Sequence, residues 1–114
     1  PVFLAAPRTK EIIEAELEVA RVGYDLGADI IKITFPGPDA TAKLCAELDI
    51  PVVVAGGPLS GDAKSTLKDV TDAISAGAQG VVVGRKVWQR PEEETRWLVA
   101  EMAKATRTAY KRRW

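Results

Sequence analysis

Histidine is absent from all 114 residues. Its absence removes the usual general base and the commonest zinc ligand, so neither a serine-histidine triad nor a histidine metal site can be built within this chain. Cysteine occurs once, at Cys45, which rules out an internal disulfide and fits a reducing, cytoplasmic location. An excess of charge is lacking too. Sixteen basic residues balance sixteen acidic ones, so no global field recruits nucleic acid or an anionic membrane, and any anion must be held by local groups. No apolar run approaches the roughly 20 residues of a membrane span, and no signal-peptide pattern opens the chain. Linkers and low-complexity stretches are missing as well. Pro1 stands where a methionine would, an opening that suggests processing or a chain entered partway.

The length suffices for one domain with a real core, and residues 1–114 read as a single unit. Four short apolar blocks stand out, at Val2 to Ala5, Ile30 to Thr34, Val52 to Ala55 and Gly80 to Val83. They are rich in β-branched residues and lack polar alternation, as expected of parallel strands covered on both faces. Helical patterns separate them. Ile13, Leu17, Ala20 and Tyr24 recur at helical spacing after a capping Thr9 and before Gly27. A second, shorter helix opens at Asp39 with Leu44, Cys45 and Leu48 inward. A third runs from about Asp62 with Ala63, Leu67, Val70 and Ile74 inward, and Gly77 stops it. The last begins at Pro91, with Glu92, Glu93 and Glu94 in its first turn and Arg107, Lys111, Arg112 and Arg113 near its end, signs that suit its dipole. Its basic tail, with Tyr110 and Trp114 interleaved, reads as a solvated helix end, and no nucleic-acid partner is assigned to it.

This order predicts an α/β fold with a parallel sheet and right-handed crossovers. Four βα units are half of a TIM (β/α)8 barrel, which takes about 250 residues. Four strands cannot close, and the two outer ones keep unpaired edges. A fragment, a half-barrel that pairs with another chain, or an open sandwich follows.

Lys32 is the one charge inside a strand otherwise built of isoleucine. Side chains alternate along a strand, so Ile31 and Ile33 face one way and Ile30, Lys32 and Thr34 the other. If helices cover the isoleucine face, Lys32 points to the opposite side, where burial would depress its pKa and free the amine to attack a carbonyl. The ordinary alternative is a strand-end lysine that reaches water. Beyond the carboxyl ends of the strands, where parallel α/β folds gather functional groups, lie Gly56, Gly57 and Gly84 with Arg85. Glycine there lets backbone N–H groups approach an anion, and Arg85 could add a charge-assisted contact, which together describe a phosphate cup. Tight turns alone would also account for these glycines. Cys45 sits on an apolar helical face and reads as core filling, and Trp88 and Trp97 as packing residues near the last helix.

GADIIKIT, followed by PVVVAGGP and AISAGAQGVVVGRKVWQRP, resembles the C-terminal half of the class I aldolase group that includes the archaeal-type fructose-bisphosphate aldolases and deoxyribose-phosphate aldolase. The match covers nearly the whole chain. The resemblance implies a TIM barrel in which Lys32, on the sixth strand, forms an imine with a phosphorylated carbonyl substrate. Gly56, Gly57, Gly84 and Arg85 would bind its phosphate, and Thr34 would touch substrate or imine. The scheme needs no metal and no cofactor. It does need a proton shuttle, which family members often take from the preceding strand, and VFLAAPR offers none. Tyr24 is a poor substitute on its helix, and Asp29 lies at the far end of the lysine strand. Two other functions stay open. One is a noncatalytic half-barrel that self-associates or pairs with a complementary chain and binds phosphate; the other is a phosphate-binding barrel enzyme such as an isomerase, with Lys32 as acid or base.

Overall fold

The computed structural model describes residues 9–56 and 61–113, with side chains as far as 108. The expected first strand, Val2 to Ala5, lies outside the described residues. The chain then runs α1 (Lys10–Asp25), β1 (Ile31–Thr34), α2 (Pro38–Glu47), β2 (Val52–Ala55), α3 (Ala63–Ala76), β3 (Gly80–Val82), α4 (Arg85–Trp88) and α5 (Glu92–Arg113). The strands form one parallel sheet in the order β1-β2-β3. Parallel neighbours cannot be joined by a tight turn, so α2 and α3 serve as the crossovers.

Local chemistry sets the helix ends. Thr9 caps α1, its Oγ1 accepting the Ile12 N–H at 3.3 Å, and Asp62 caps α3 by accepting the Ser65 N–H at 2.7 Å. At the end of α3, Gly77 has φ +121°, and a Cβ there would lie 3.0 Å from Cys45 Cβ. Only glycine satisfies both the backbone and the contact with α2. The four-residue α4 was not expected from periodicity, because one turn is too short to show a period.

Two apolar clusters hold the layers together. The larger joins Leu17 and Ala20 of α1, Ile31 and Ile33 of β1, Leu44 and Leu48 around α2, and Val52 and Val54 of β2. The smaller joins Ala63, Val70 and Ile74 of α3 to Val87 of α4 and to Leu98 and Met102 of α5. Leu44 and Leu98 are wholly buried, each worth about 1.5–3 kcal/mol of transfer free energy. Thr41 is buried as well, its hydroxyl donating to the Gly37 carbonyl at 2.8 Å. Trp88 and Trp97 depart from expectation: both are exposed, Trp88 by 64%. A second apolar stripe on α1, with Ile12, Val19 and Val22, faces outward, continued by the C-cap Leu26, which is 83% exposed. Among the described residues no helix is long and apolar enough to cross a membrane.

Candidate active site

The alternation expected of the lysine strand is present. Ile31 and Ile33 are buried beneath the helices while Lys32 and Thr34 are exposed on the opposite face of β1. In register, Lys32 lies beside Val53 and Thr34 beside Ala55; Val53 pairs onward with Gly80, and Ala55 with Val82. Lys32, Thr34, Val53, Ala55, Gly80 and Val82 therefore share one face, which no described helix covers. Burial of Lys32, expected from the sequence, is not found: three strands do not curl far enough to enclose their own face.

An open groove of about 590 Å³ runs along β1 against α1, and Lys32, Thr34, Ile30 and Glu16 line it together with Ile12 and Val19. Glu16 is the one carboxylate among the described lining residues. Sequence reasoning passed it over because it lies on the outer half of α1 rather than on a strand.

The glycine turns lie at the same end of the sheet as Thr34, beyond the carboxyl ends of β2 and β3. Strand spacing and rise put Gly56 about 11 Å from Lys32 between Cα atoms, counted from the Lys32 to Val53 register. Gly56 differs from the expected anion donor, because its N–H donates to the Val82 carbonyl at 3.1 Å and continues the ladder. Its lack of a side chain has a packing reason, since a Cβ would lie 3.1 Å from Val83 Cγ1. Gly57 lies outside the described residues. Gly84 precedes α4, and its carbonyl accepts the N–H groups of Val87 at 2.8 Å and Trp88 at 3.0 Å. Arg85 opens α4 and is exposed. Lys86 folds back beside Gly56, Thr66 and Asp69 to line a cavity of about 30 Å³, the size of one water.

Two electrostatic couplings on α1 lie away from Lys32. Arg21 of α1 donates to Glu47 of α2 at 2.7 Å and pairs with Glu18. The hydrogen bond from Arg21 holds the Glu47 carboxyl below its ordinary range. Tyr24 donates to Asp49 at 2.5 Å, and this bond pushes the phenol upward. Tyr24 lies near the C-terminus of α1, at the opposite end of the sheet from Thr34, so it cannot serve Lys32. Burial raises the Cys45 thiol, in keeping with core filling.

The model of the DeoC/LacD family aldolases matches residues 8–90. The chain belongs to that family. A 2-amino-4,5-dihydroxy-6-oxo-7-(phosphonooxy)heptanoate synthase from Streptomyces griseus is 40% identical over 87 residues, 75% of this chain and 31% of that protein. The crystal structure of an archaeal fructose 1,6-bisphosphate aldolase superposes with TM-score 0.70 at 32% identity, covering 88% of this chain and 40% of that one. An archaeal fructose-1,6-bisphosphate aldolase with its catalytic Lys covalently bound to the carbinolamine intermediate of the substrate gives TM-score 0.69 at 29% identity, with the same coverage. The chain thus spans about a third of the length of that synthase and 40% of those solved aldolases. Over this stretch the fold of the DeoC/LacD chain is the parallel α/β arrangement of the TIM-barrel aldolases.

The Arg90 cluster escaped sequence reasoning. Its guanidinium meets Lys86, Glu94 and Thr66. Lys86 and Glu94 stand four residues to either side of Arg90, a spacing that could have drawn notice; Thr66, 24 residues away, gave no signal.

Proposed function

We propose that this chain is the lysine-bearing part of a class I aldolase, a carbon–carbon lyase acting on a phosphorylated carbonyl compound. The carrying observation is that Lys32 occupies the sheet face free of helices, two residues before the carboxyl end of β1, in a family member similar to an aldolase that holds its substrate covalently on lysine. The neutral Lys32 amine adds to the substrate carbonyl, the carbinolamine loses water, and the resulting iminium accepts the electron pair released when the carbon–carbon bond breaks. Thr34, on the same face, touches the substrate or imine. Arg85 and the turns at Gly56, Gly57 and Gly84 hold the phosphate; Gly56 contributes by its missing side chain, since its N–H is engaged with Val82.

In this reading residues 1–114 form one domain of four βα units, the C-terminal half of a barrel. The remaining strands of the barrel, whether from a longer chain, a second copy or a complementary chain, cover the open face and exclude water from the amine. The exposure of Lys32 favours a second reading for the chain by itself, a noncatalytic half-barrel that binds phosphate without turnover.

Borohydride trapping separates the two. Incubation with dihydroxyacetone phosphate followed by reduction is expected to add one substrate mass at Lys32, and Lys32→Ala to abolish the adduct. An unmodified Lys32 at saturating ligand removes the lyase reading for this chain, while phosphate binding that persists in Lys32→Ala favours the binding module.

A further inference from the structure

Arg90 is a cation placed almost entirely inside the protein, its side chain 5% exposed. Such burial is costly unless each nitrogen finds a partner. Here Nη2 donates to Thr66 Oγ1 of α3 at 2.9 Å, Nη1 donates to Glu94 Oε1 of α5 at 3.0 Å, and Nε donates to the Lys86 carbonyl of α4. One planar fork thus ties three helices, which a lysine's single ammonium cannot reproduce.

Of the three, α4 depends on it most. A single turn does not sustain itself, and its last carbonyls have no partner within the helix. Arg90 takes the carbonyl of Lys86 and Thr95 Oγ1 takes that of Val87 at 2.7 Å, while the Val87 side chain seats in the smaller core. The back of α4 is therefore clamped, and Gly84 with Arg85 forms its front, at the carboxyl end of β3.

We propose that Arg90 is a positioning residue for the phosphate end of the substrate, acting through α4 to set where Gly84 and Arg85 stand. This rests on the aldolase reading only in giving Gly84 and Arg85 a phosphate to hold. The clamping of α4 stands apart from it.

The test uses the whole chain, with amide hydrogen exchange and titration with inorganic phosphate. In Arg90→Met, the amides of Val87, Trp88 and Gln89, which donate within the turn to Gly84 and Arg85, are expected to exchange at least about tenfold faster relative to those of α3 and α5, as the loss of a charge-assisted bond implies. Phosphate affinity is expected to fall by a similar factor. Leu44→Ala, a cavity in the larger core away from α4, is expected to lower overall stability yet leave both readings unchanged. Arg90→Lys is expected to lie between wild type and Arg90→Met, and it carries the test if the latter does not fold.

Exchange at Val87, Trp88 and Gln89 that rises no more than elsewhere overturns the clamp. Faster exchange with unaltered phosphate affinity overturns the positioning role. A wild-type chain that binds no phosphate sinks the phosphate reading and the positioning role with it, while the exchange measurement still decides the clamp.

Discussion

The two faces of the sheet differ sharply. On the helix side, Ile31, Ile33, Val52 and Val54 are all buried; on the other, which carries Lys32 and Thr34, Ile30 is 59% and Val82 47% exposed. The covered face is closed by neighbours brought in by the chain's own crossovers. The open face is apolar enough to need cover and carries the one lysine of the described strands, so stability and proposed chemistry occupy opposite sides of the same residues.

Substitutions on the covered side are the severest way to test that division. Leu44→Ala is expected to cost about 2–5 kcal/mol, read by urea unfolding, because the layer between α2 and the sheet cannot collapse around the void. A loss near zero would mean that this face is not close-packed.

Gly77→Ala comes next. It forces a side chain into φ +121° and against Cys45, so a loss of about 1–3 kcal/mol in the same assay is expected. Replacing the α3 cap, Asp62→Ala, leaves the Ser65 N–H without its partner and is expected to cost about 1 kcal/mol.

A smaller effect is expected where α1 meets α2. The folded-state pKa of Glu47 is depressed below 4.5, so its contribution is complete above that value and is lost as the pH falls through the lowered folded value. The difference in urea midpoint between wild type and Arg21→Met should therefore be larger at pH 7 than at pH 3; an unchanged difference would show that the Arg21 to Glu47 bond contributes nothing.

The smallest change in stability is reserved for the open face. Lys32→Ala is expected to stay within about 0.5 kcal/mol of wild type, as for an exposed substitution without partners to lose. A large loss would show that Lys32 supports the fold and would erase the contrast between the faces.

Most of the architecture was legible because local signals repeat. Thr9, Asp62 and Gly77 mark helix ends through bonds and backbone angles that lie within a few residues, and the β-branched blocks at Ile31 and Val52 mark strands. The candidate site was legible in kind, since alternation alone puts Lys32 opposite Ile31 and Ile33. It was not legible in environment. Whether Lys32 is wet or buried depends on strands far away in sequence or outside the chain, and no local pattern reports their presence. Gly56 teaches the same lesson: its sequence context suggested a free N–H, whereas the register with β3 spends that N–H on Val82.

Residue order was enough to establish strand, helix and turn, the parallel sheet and the face on which Lys32 stands, because these follow from periods of two and 3.6 and from caps a few atoms away. The convergence of Thr66, Lys86 and Glu94 on Arg90, the capture of the Gly56 N–H and the bare state of the lysine face came only with the folded chain. Each depends on which distant groups become neighbours, a matter of packing in three dimensions that no spacing along the chain encodes.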